Sequence, residues 1–210
     1  MKKIMFNEPF DMQQATFDRR KNMTRRLVPN RILAKVKDYR RMYYEQTLER
    51  ISVEDAIMNM VGPEKMFKAP YEVGEVVAIA QRYSQLEKEI ESLGLPLVLK
   101  DWVRKHKGYN NKMYVRAEDM PHHIKITDFK AEYLQDISDE DCLREGIRYE
   151  HWGGYDHYTV GNYILWDRSM RQRGFSTPRK AFEVLIRNMS GDKAWYSNPL
   201  VFAYSYELVD

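Results

Sequence analysis

Cysteine is nearly absent from this chain. Cys142 is the only one, so no disulfide can close within the chain and a thiolate-rich zinc site is excluded. A cytoplasmic setting is the simpler expectation. Long apolar runs are missing too. The longest uncharged ones, around Leu95–Leu99 and Val76–Ala80, are about six residues, where a membrane helix needs roughly 20. No membrane contact is therefore expected. Asn7, Glu8 and Asp11 interrupt any apolar stretch behind Met1-Lys2-Lys3, which argues against a signal peptide. Internal repeats and low-complexity tracts are also lacking. His122 and His123 would point to opposite faces of a strand, and His151 and His157 lack a tight ligand spacing, so neither a metal nor another cofactor is expected. Gly153-Gly154 is no phosphate loop, because no Gly-Lys-Ser/Thr follows it.

What is present suits a single globular domain spanning 1–210. At 43% hydrophobic the chain can bury a sizeable core, and at 31% charged it has the composition of a soluble protein. The net charge of +3 decides little, but its distribution is uneven. From Arg19 to Arg41 there are ten Lys or Arg against one acid, Asp38. Such a block attracts phosphates, or it is a solvated helix face balanced by Glu45, Glu49 and Glu54.

Ile4–Phe6 has the pattern of a short strand. Pro9 suits a first helical turn, followed by Phe10, Gln13, Gln14 and Phe17 at helical spacing. That helix should end near Arg20, leaving Lys21–Arg26 as an exit loop or a new turn. Ile32, Val36, Tyr39, Tyr43 and Leu48 mark a second helix, and Ser52 with Asp55 caps a third. Together they form a helical insertion at about 31–66. Strands are expected at Glu75–Ala80 and Met113–Arg116, with a helix from Ser84 to Gly94 between them, its start boxed by Ser84 and Glu87. His122–Tyr133 alternates with period two but slips phase between Ile126 and Phe129, as a β-bulge at Thr127-Asp128 would produce. Ser138 and Asp141 box the start of a helix that Gly146 ends. Residues 149–176, rich in Tyr, Gly and Trp, have no clear period and are expected to form a long surface loop. Thr177-Pro178 caps a last helix, and Pro199–Leu208 alternates as a closing strand. The fold class expected is α+β, built on a small barrel with flanking helices.

Four ordered segments resemble the ASCH family, a branch of the PUA-like superfamily, in the version found in phages and prophages. Arg19-Arg20-Lys21-Asn22-Met23-Thr24-Arg25-Arg26 is similar to that family's "GRKTQTRR" signature. Val73-Gly74-Glu75-Val76-Val77 resembles its "PGDxLWV" strand entry. Leu134–Asp141 with Glu145-Gly146-Ile147 follows its "RLQDISEEDAIAEGI", and Asn198-Pro199 resembles its closing "NPWVWVIEF". The chain departs from the pattern at Arg19, where the family has Gly, at Asn22, where it has Thr, and at Leu200, where it often has Trp.

The resemblance implies a PUA-like β-barrel and a ligand of the RNA, nucleotide or modified-nucleoside kind. One small member of the superfamily deacylates N4-acetylcytidine with a lysine, a threonine and a glutamate, which fall here on Lys21, Thr24 and Glu145. In that role a threonine hydroxyl needs a neighbouring base, and Lys21 could serve if a dry cleft and Arg25 or Arg26 lowered its pKa. Glu145 would stand at the negative end of a helix dipole, where a carboxylate either rises in pKa or is relieved by Lys21. A catalytic trio, a non-catalytic ligand pocket and a structural ion pair are all open. Arg20, Arg25 and Arg26 are the expected phosphate contacts. Tyr149, Trp152, Tyr155, Tyr158, Tyr163 and Trp166 could stack on bases or pack their own loop. A scaffold for protein interactions in phage biology is the remaining alternative.

Overall fold

The computed structural model of the chain describes residues 1–92, 101–160 and 174–209. In chain order they form β1 (Lys2–Ile4), α1 (Met12–Phe17), β2 (Met23–Leu27), α2 (Asn30–Thr47), α3 (Val53–Met60), β3 (Val76–Ile79), α4 (Tyr83–Ser92) and α5 (Asp101–Lys105). There follow β4 (His123–Tyr133), α6 (Asp139–Arg144), β5 (Ile147–Trp152), β6 (Tyr155–Val160), α7 (Pro178–Ser190), α8 (Asp192–Tyr196) and β7 (Leu200–Leu208). The class is α+β, as expected. Five strands make a mixed sheet in the order β1-β3-β4-β7-β2, and β5 and β6 make a separate pair. A barrel requires every strand to have two neighbours. Here β1 and β2 end the order without pairing to each other, so among the described residues the sheet is open. No described helix is long and apolar enough to cross a membrane.

Two compact units partition the chain. The first comprises residues 1–6, 76–125 and 208–210. Lys2, Lys3 and Ile4 pair in parallel with Val77, Ala78 and Ile79, and β3 pairs antiparallel with the first residues of β4. Its core joins Ala78, Ala80 and Tyr83 to Val103, Val115 and Met120. Two local expectations fail here. Met113–Arg116 is not a strand, because the Asn111 side chain accepts the Met113 amide (3.0 Å) and starts a 3-10 turn at Lys112–Tyr114. Such a local side-chain bond competes with a ladder. Helix α4 begins at Tyr83 rather than after Ser84, and the Arg82 amide donates to Gln85 Oε1 (2.7 Å). Glu87, expected to complete a capping box, instead accepts from Arg104 Nε (3.0 Å) and from the Tyr109 hydroxyl. Gly94 lies outside the described residues.

The second unit comprises residues 7–75 and 126–207. Strand β7 pairs antiparallel with β2, Thr24 opposite Tyr204 and Arg26 opposite Phe202. Val201, Phe202, Ala203 and Tyr204 are all buried, so this strand is covered on both faces instead of alternating. Helix α7 contributes Ala181, Phe182, Val184 and Leu185 to the core, and the Phe182 ring meets Trp195 edge-on at 6.3 Å. The Thr177 hydroxyl accepts the Lys180 amide (3.2 Å) at its start, as the sequence predicts. Ser52 caps α3 and Ser138 caps α6 in the same way. Along α2, only Ile32 and Val36 of the apolar stripe are buried, whereas Leu48 is exposed. On β4 the consecutive exposed pair Thr127 and Asp128 marks the phase slip anticipated there.

The expected long loop at 149–176 begins as a hairpin. β5 and β6 pair from Ile147↔Val160 to Trp152↔Tyr155 around Gly153-Gly154. Both glycines have positive φ (62° and 81°), the backbone that a two-residue hairpin turn demands and that glycine adopts without penalty. Residues 161–173, with Tyr163 and Trp166, lie outside the described residues.

Candidate functional site

Helix α1 releases the chain straight into β2. The amides of Arg20 and Lys21 both donate to Ala15 O (2.9 and 2.8 Å), and Arg19 turns the corner with φ 59°. The segment Lys21–Arg26, expected as an exit loop, is therefore strand from Met23 onward. A strand with two consecutive arginines can be half-buried only if their charges are met, and for Arg25 they are.

Arg25, whose side chain is 4% exposed, reaches three carboxylates. Its Nε and Nη2 donate to Glu132 Oε1 (2.9 and 2.6 Å), Nη2 also to Asp141 Oδ2 (3.1 Å), and Nη1 to Glu145 Oε1 (2.9 Å). Lys130 Nζ adds contacts to Glu132 Oε2 (2.9 Å) and Asp141 Oδ2 (3.2 Å). Burial opposes the Arg25 charge, but Glu145 and Glu132 outweigh it and hold its pKa above the usual guanidinium value. The Arg25 guanidinium also lies 5.8 Å from the centre of the Phe182 ring.

Lys21 is buried (3% exposed). Its Nζ donates to Met23 O (2.6 Å), to Glu145 O (3.0 Å) and to the second carboxylate oxygen, Glu145 Oε2. Two of these contacts answer the question of a carboxylate at a helix C-terminus. Glu145 is the C-cap of α6, so Lys21 satisfies a terminal carbonyl while its charge opposes the negative dipole end. The Asn22 amide takes the preceding carbonyl, Arg144 O (3.0 Å). Gly146 then leaves the helix with φ 103°, a region closed to most side chains. Burial pushes the Lys21 ammonium below its ordinary pKa of 10.5; Glu145 works against that, and Arg26 and Arg25 add to it.

Thr24 is brought into the same strand but not into this hydrogen-bond set. Its neighbour Arg25 faces Glu132, Asp141 and Glu145, and successive strand residues alternate. Thr24 and Arg26 therefore share the other face with their cross-strand partners Tyr204 and Phe202. The bonds linking Lys21 and Glu145 do not include the Thr24 hydroxyl. On that second face the Tyr204 ring contacts Tyr71 (5.5 Å) and stacks near Phe129 (5.6 Å). Tyr204 OH is fully buried. Tyr206 OH pairs with Thr16 Oγ1 (3.0 Å). Burial drives the Tyr206 phenol pKa far up and Glu145 adds to it, while Arg26 acts in the other direction.

Of the three arginines expected to contact phosphate, Arg20 is bound to Asp11 (3.0 Å) and Asp18 (2.8 Å), and Arg25 is enclosed by carboxylates. Both serve the fold. Arg26 is half-buried on the Thr24 face. Sequence reasoning missed Glu132, Lys130 and Arg144, and assigned Asp141 only a capping role. Asp141 does take its cap, yet its carboxylate also holds Arg25, Lys130 and Arg144. A charged residue at Glu132, out of phase with Phe129, Ala131 and Tyr133, was the available signal.

The aromatic segment behaves as self-packing where it is described. Tyr149 and Tyr158 face each other across the hairpin (5.7 Å), and the Tyr149 hydroxyl donates to Asp156 Oδ1 (2.7 Å). Of Trp152 and Tyr155 only the backbone is described. Among the described residues no group of three or more His, Cys, Asp or Glu is placed to hold a metal ion. Cys142 is buried, and desolvation pushes its thiol up to about 12, which makes it a poor nucleophile. No protein-family model matches the chain, and neither a curated protein nor a solved structure does.

Proposed function

We propose that this chain is an ASCH-type, PUA-like protein that binds a nucleotide, a modified nucleoside or RNA on the face of β2 carrying Thr24 and Arg26. The observation that carries this reading is the buried Lys21–Glu145 pair. Two residues that the family resemblance singles out, 124 positions apart, meet directly beneath the strand that presents Thr24. The PUA-like barrel belongs to the same proposal, with β2, β7 and β4 as its ligand-bearing strands. Arg26 supplies the cation for a phosphate, and the half-buried Tyr71, packed edge-on against the covered Tyr204 ring, supplies an aromatic wall.

Binding is favoured over turnover by the hydrogen bonds of Lys21, even though burial and the two arginines lower its pKa in the direction a base requires. An ammonium has three N–H donors, and three acceptors converge on Nζ. The charged form is therefore satisfied despite its burial, whereas a general base must be neutral. In the amidohydrolase alternative, Thr24 Oγ attacks the acyl carbonyl and passes its proton to Lys21, the amine of cytidine departs with a proton, and water then frees the carboxylate. That route requires Lys21 first to surrender its proton and then to reach the Thr24 hydroxyl.

The test is a binding series with cytidine, N4-acetylcytidine, CMP and a single-stranded RNA oligonucleotide, each also followed for release of cytidine and acetate. We expect saturable, salt-weakened binding of the phosphate-bearing ligands, an Arg26→Ala loss of at least five-fold, and no turnover. Turnover abolished by Lys21→Ala, Thr24→Ala and Glu145→Ala would replace the binding role with the enzymatic one. Failure of all four ligands to bind at millimolar concentration would refute both.

A further inference from the structure

The basic block that the sequence shows from Arg31 to Arg41 is not used by the site above, and the structure gives it a different setting. Helices α2 and α3 and the start of β7 enclose an open groove of about 730 Å³. Lys37, Arg40, Arg41 and Arg50 line it, and no acidic side chain does. All four are exposed. Their internal commitments are slight. Arg40 spends Nε on the Ile51 carbonyl (2.9 Å), which braces the α2–α3 connection, and Arg41 stands 3.8 Å from an equally exposed Asp38. Exposed pairs at that distance contribute little. Among the described residues, Lys37 and Arg50 have no ion pair.

Between these cations the floor is aliphatic. Leu33, Ile51, Val53 and Leu200 line the groove, each half-buried and so still presenting apolar surface. Tyr44 is the one aromatic residue in its lining. This combination discriminates between anionic partners. A nucleic acid held by its bases calls for aromatic faces or base-edge donors and acceptors, and an aliphatic floor offers neither. A peptide with apolar residues on one side and carboxylates on the other fits both parts. Its apolar side covers Leu33, Ile51 and Val53, and its carboxylates meet guanidinium forks whose planar donors match them.

We propose that the α2–α3 groove is a docking site for an acidic amphipathic segment of a protein partner. The charged and apolar side chains used here differ from those of the Thr24 face, although Leu200 lies on the same side of β7 as Phe202 and Tyr204, and the groove gives the helical insertion a role in partner recognition.

The probe is a fluorescein-labelled 16-residue helix-forming peptide with Leu at i, i+3, i+4 and i+7 spacing and Glu elsewhere. Controls are a scrambled peptide of identical composition, polyglutamate and a single-stranded RNA oligonucleotide. The site predicts that the amphipathic peptide binds at least five-fold tighter than its scramble. It also predicts at least a ten-fold loss in Lys37→Glu/Arg50→Glu, and a loss in the uncharged variant Val53→Ser that leaves residual polyglutamate binding unchanged. Lys37 and Arg50 are exposed, so that double variant should keep the circular dichroism spectrum and urea midpoint of the parent. The Thr24-face variant Arg26→Ala should bind the peptide normally, which separates failure here from failure of the nucleotide reading. Scramble and polyglutamate binding as tightly as the amphipathic peptide would overturn the proposal in favour of bulk charge. RNA displacing the peptide and losing affinity in the same double variant would overturn it in favour of a nucleic-acid surface.

Discussion

Replacing Arg25 with methionine tests the central ion cluster most directly. Methionine fills a similar volume without charge, so the change isolates the guanidinium rather than opening a large cavity. Arg25 makes four N–H···O contacts to Glu132, Asp141 and Glu145, all within a region where its side chain is 4% exposed. Removing one partner of a buried ion pair costs about 3–5 kcal/mol, because the opposite charge is left behind without compensation. Lys130 remains on Glu132 and Asp141, and Lys21 remains on Glu145, so the loss should sit near the lower end of that range. Arg25→Lys keeps the charge but gathers all donors on one nitrogen, which cannot span three carboxylates. With hydrogen bonds to charged groups at about 1.5–3 kcal/mol each, we expect a loss of roughly 1.5–3 kcal/mol there. Urea unfolding followed in parallel by circular dichroism and tryptophan fluorescence gives both values. Glu132→Gln should cost less in the Arg25→Met background than in the parent, since its partner is already gone. If Arg25→Met lies within 1 kcal/mol of the parent at an unchanged m-value, the cluster is not held by Arg25 and the reasoning fails.

Two further outcomes follow from the same strand entry. Arg19 adopts φ 59°, a left-handed conformation that costs an L-residue about 1–2 kcal/mol, while glycine in an unfolded chain costs about 0.5–1 kcal/mol of entropy. Arg19→Gly should therefore stabilise by about 0.5–1 kcal/mol, raising the melting temperature by a few degrees; a lower melting temperature would contradict it. Lys21 has a folded pKa below its ordinary 10.5, so the unfolded chain binds more protons through that interval and stability should rise as pH climbs from the folded pKa towards 10.5. The difference in unfolding free energy between parent and Lys21→Met should thus shift in the parent's favour from pH 7 to pH 10. A shift the other way would mean that the pair with Glu145 outweighs the burial.

How much of this was legible depends on how local each cause was. Helices α6 and α7 were readable because Ser138 and Thr177 bind amides three residues ahead, a signal contained in the sequence window itself. Strand β2 was not. Its arginines suggested an exposed turn, and what lets the strand bury Arg25 is Glu132, 107 residues away, with Asp141 and Glu145 beyond it. The hairpin of β5 and β6 was readable in hindsight from Gly153-Gly154 between two aromatic runs, a two-residue turn with both φ positive. The meeting of Lys21 and Glu145 came from resemblance alone. No periodicity connects an α1 exit to an α6 end, and only the tertiary capping of α6 by Lys21 and Asn22 brings them together.

That capping also explains why adjacent arginines should behave so differently. One step along β2 moves a side chain to the opposite face. Arg25 turns toward α6 and is consumed by three carboxylates, whereas Arg26 stands across from Phe202 beside Thr24. Substituting Arg25 should therefore be felt in the urea midpoint, and any ligand loss should track the unfolded fraction. Substituting Arg26 should appear in ligand affinity and its salt dependence to a greater extent than any change in the unfolded fraction accounts for. The cluster commits Arg25 to holding the strand, and the proposed binding falls to the face of Thr24 and Arg26. The separation of stability from binding between residues 25 and 26 is the physical content of that arrangement. If both variants lost stability and affinity together, the two faces would be one site, and the assignment of Thr24 and Arg26 to a separate binding face would have to be withdrawn.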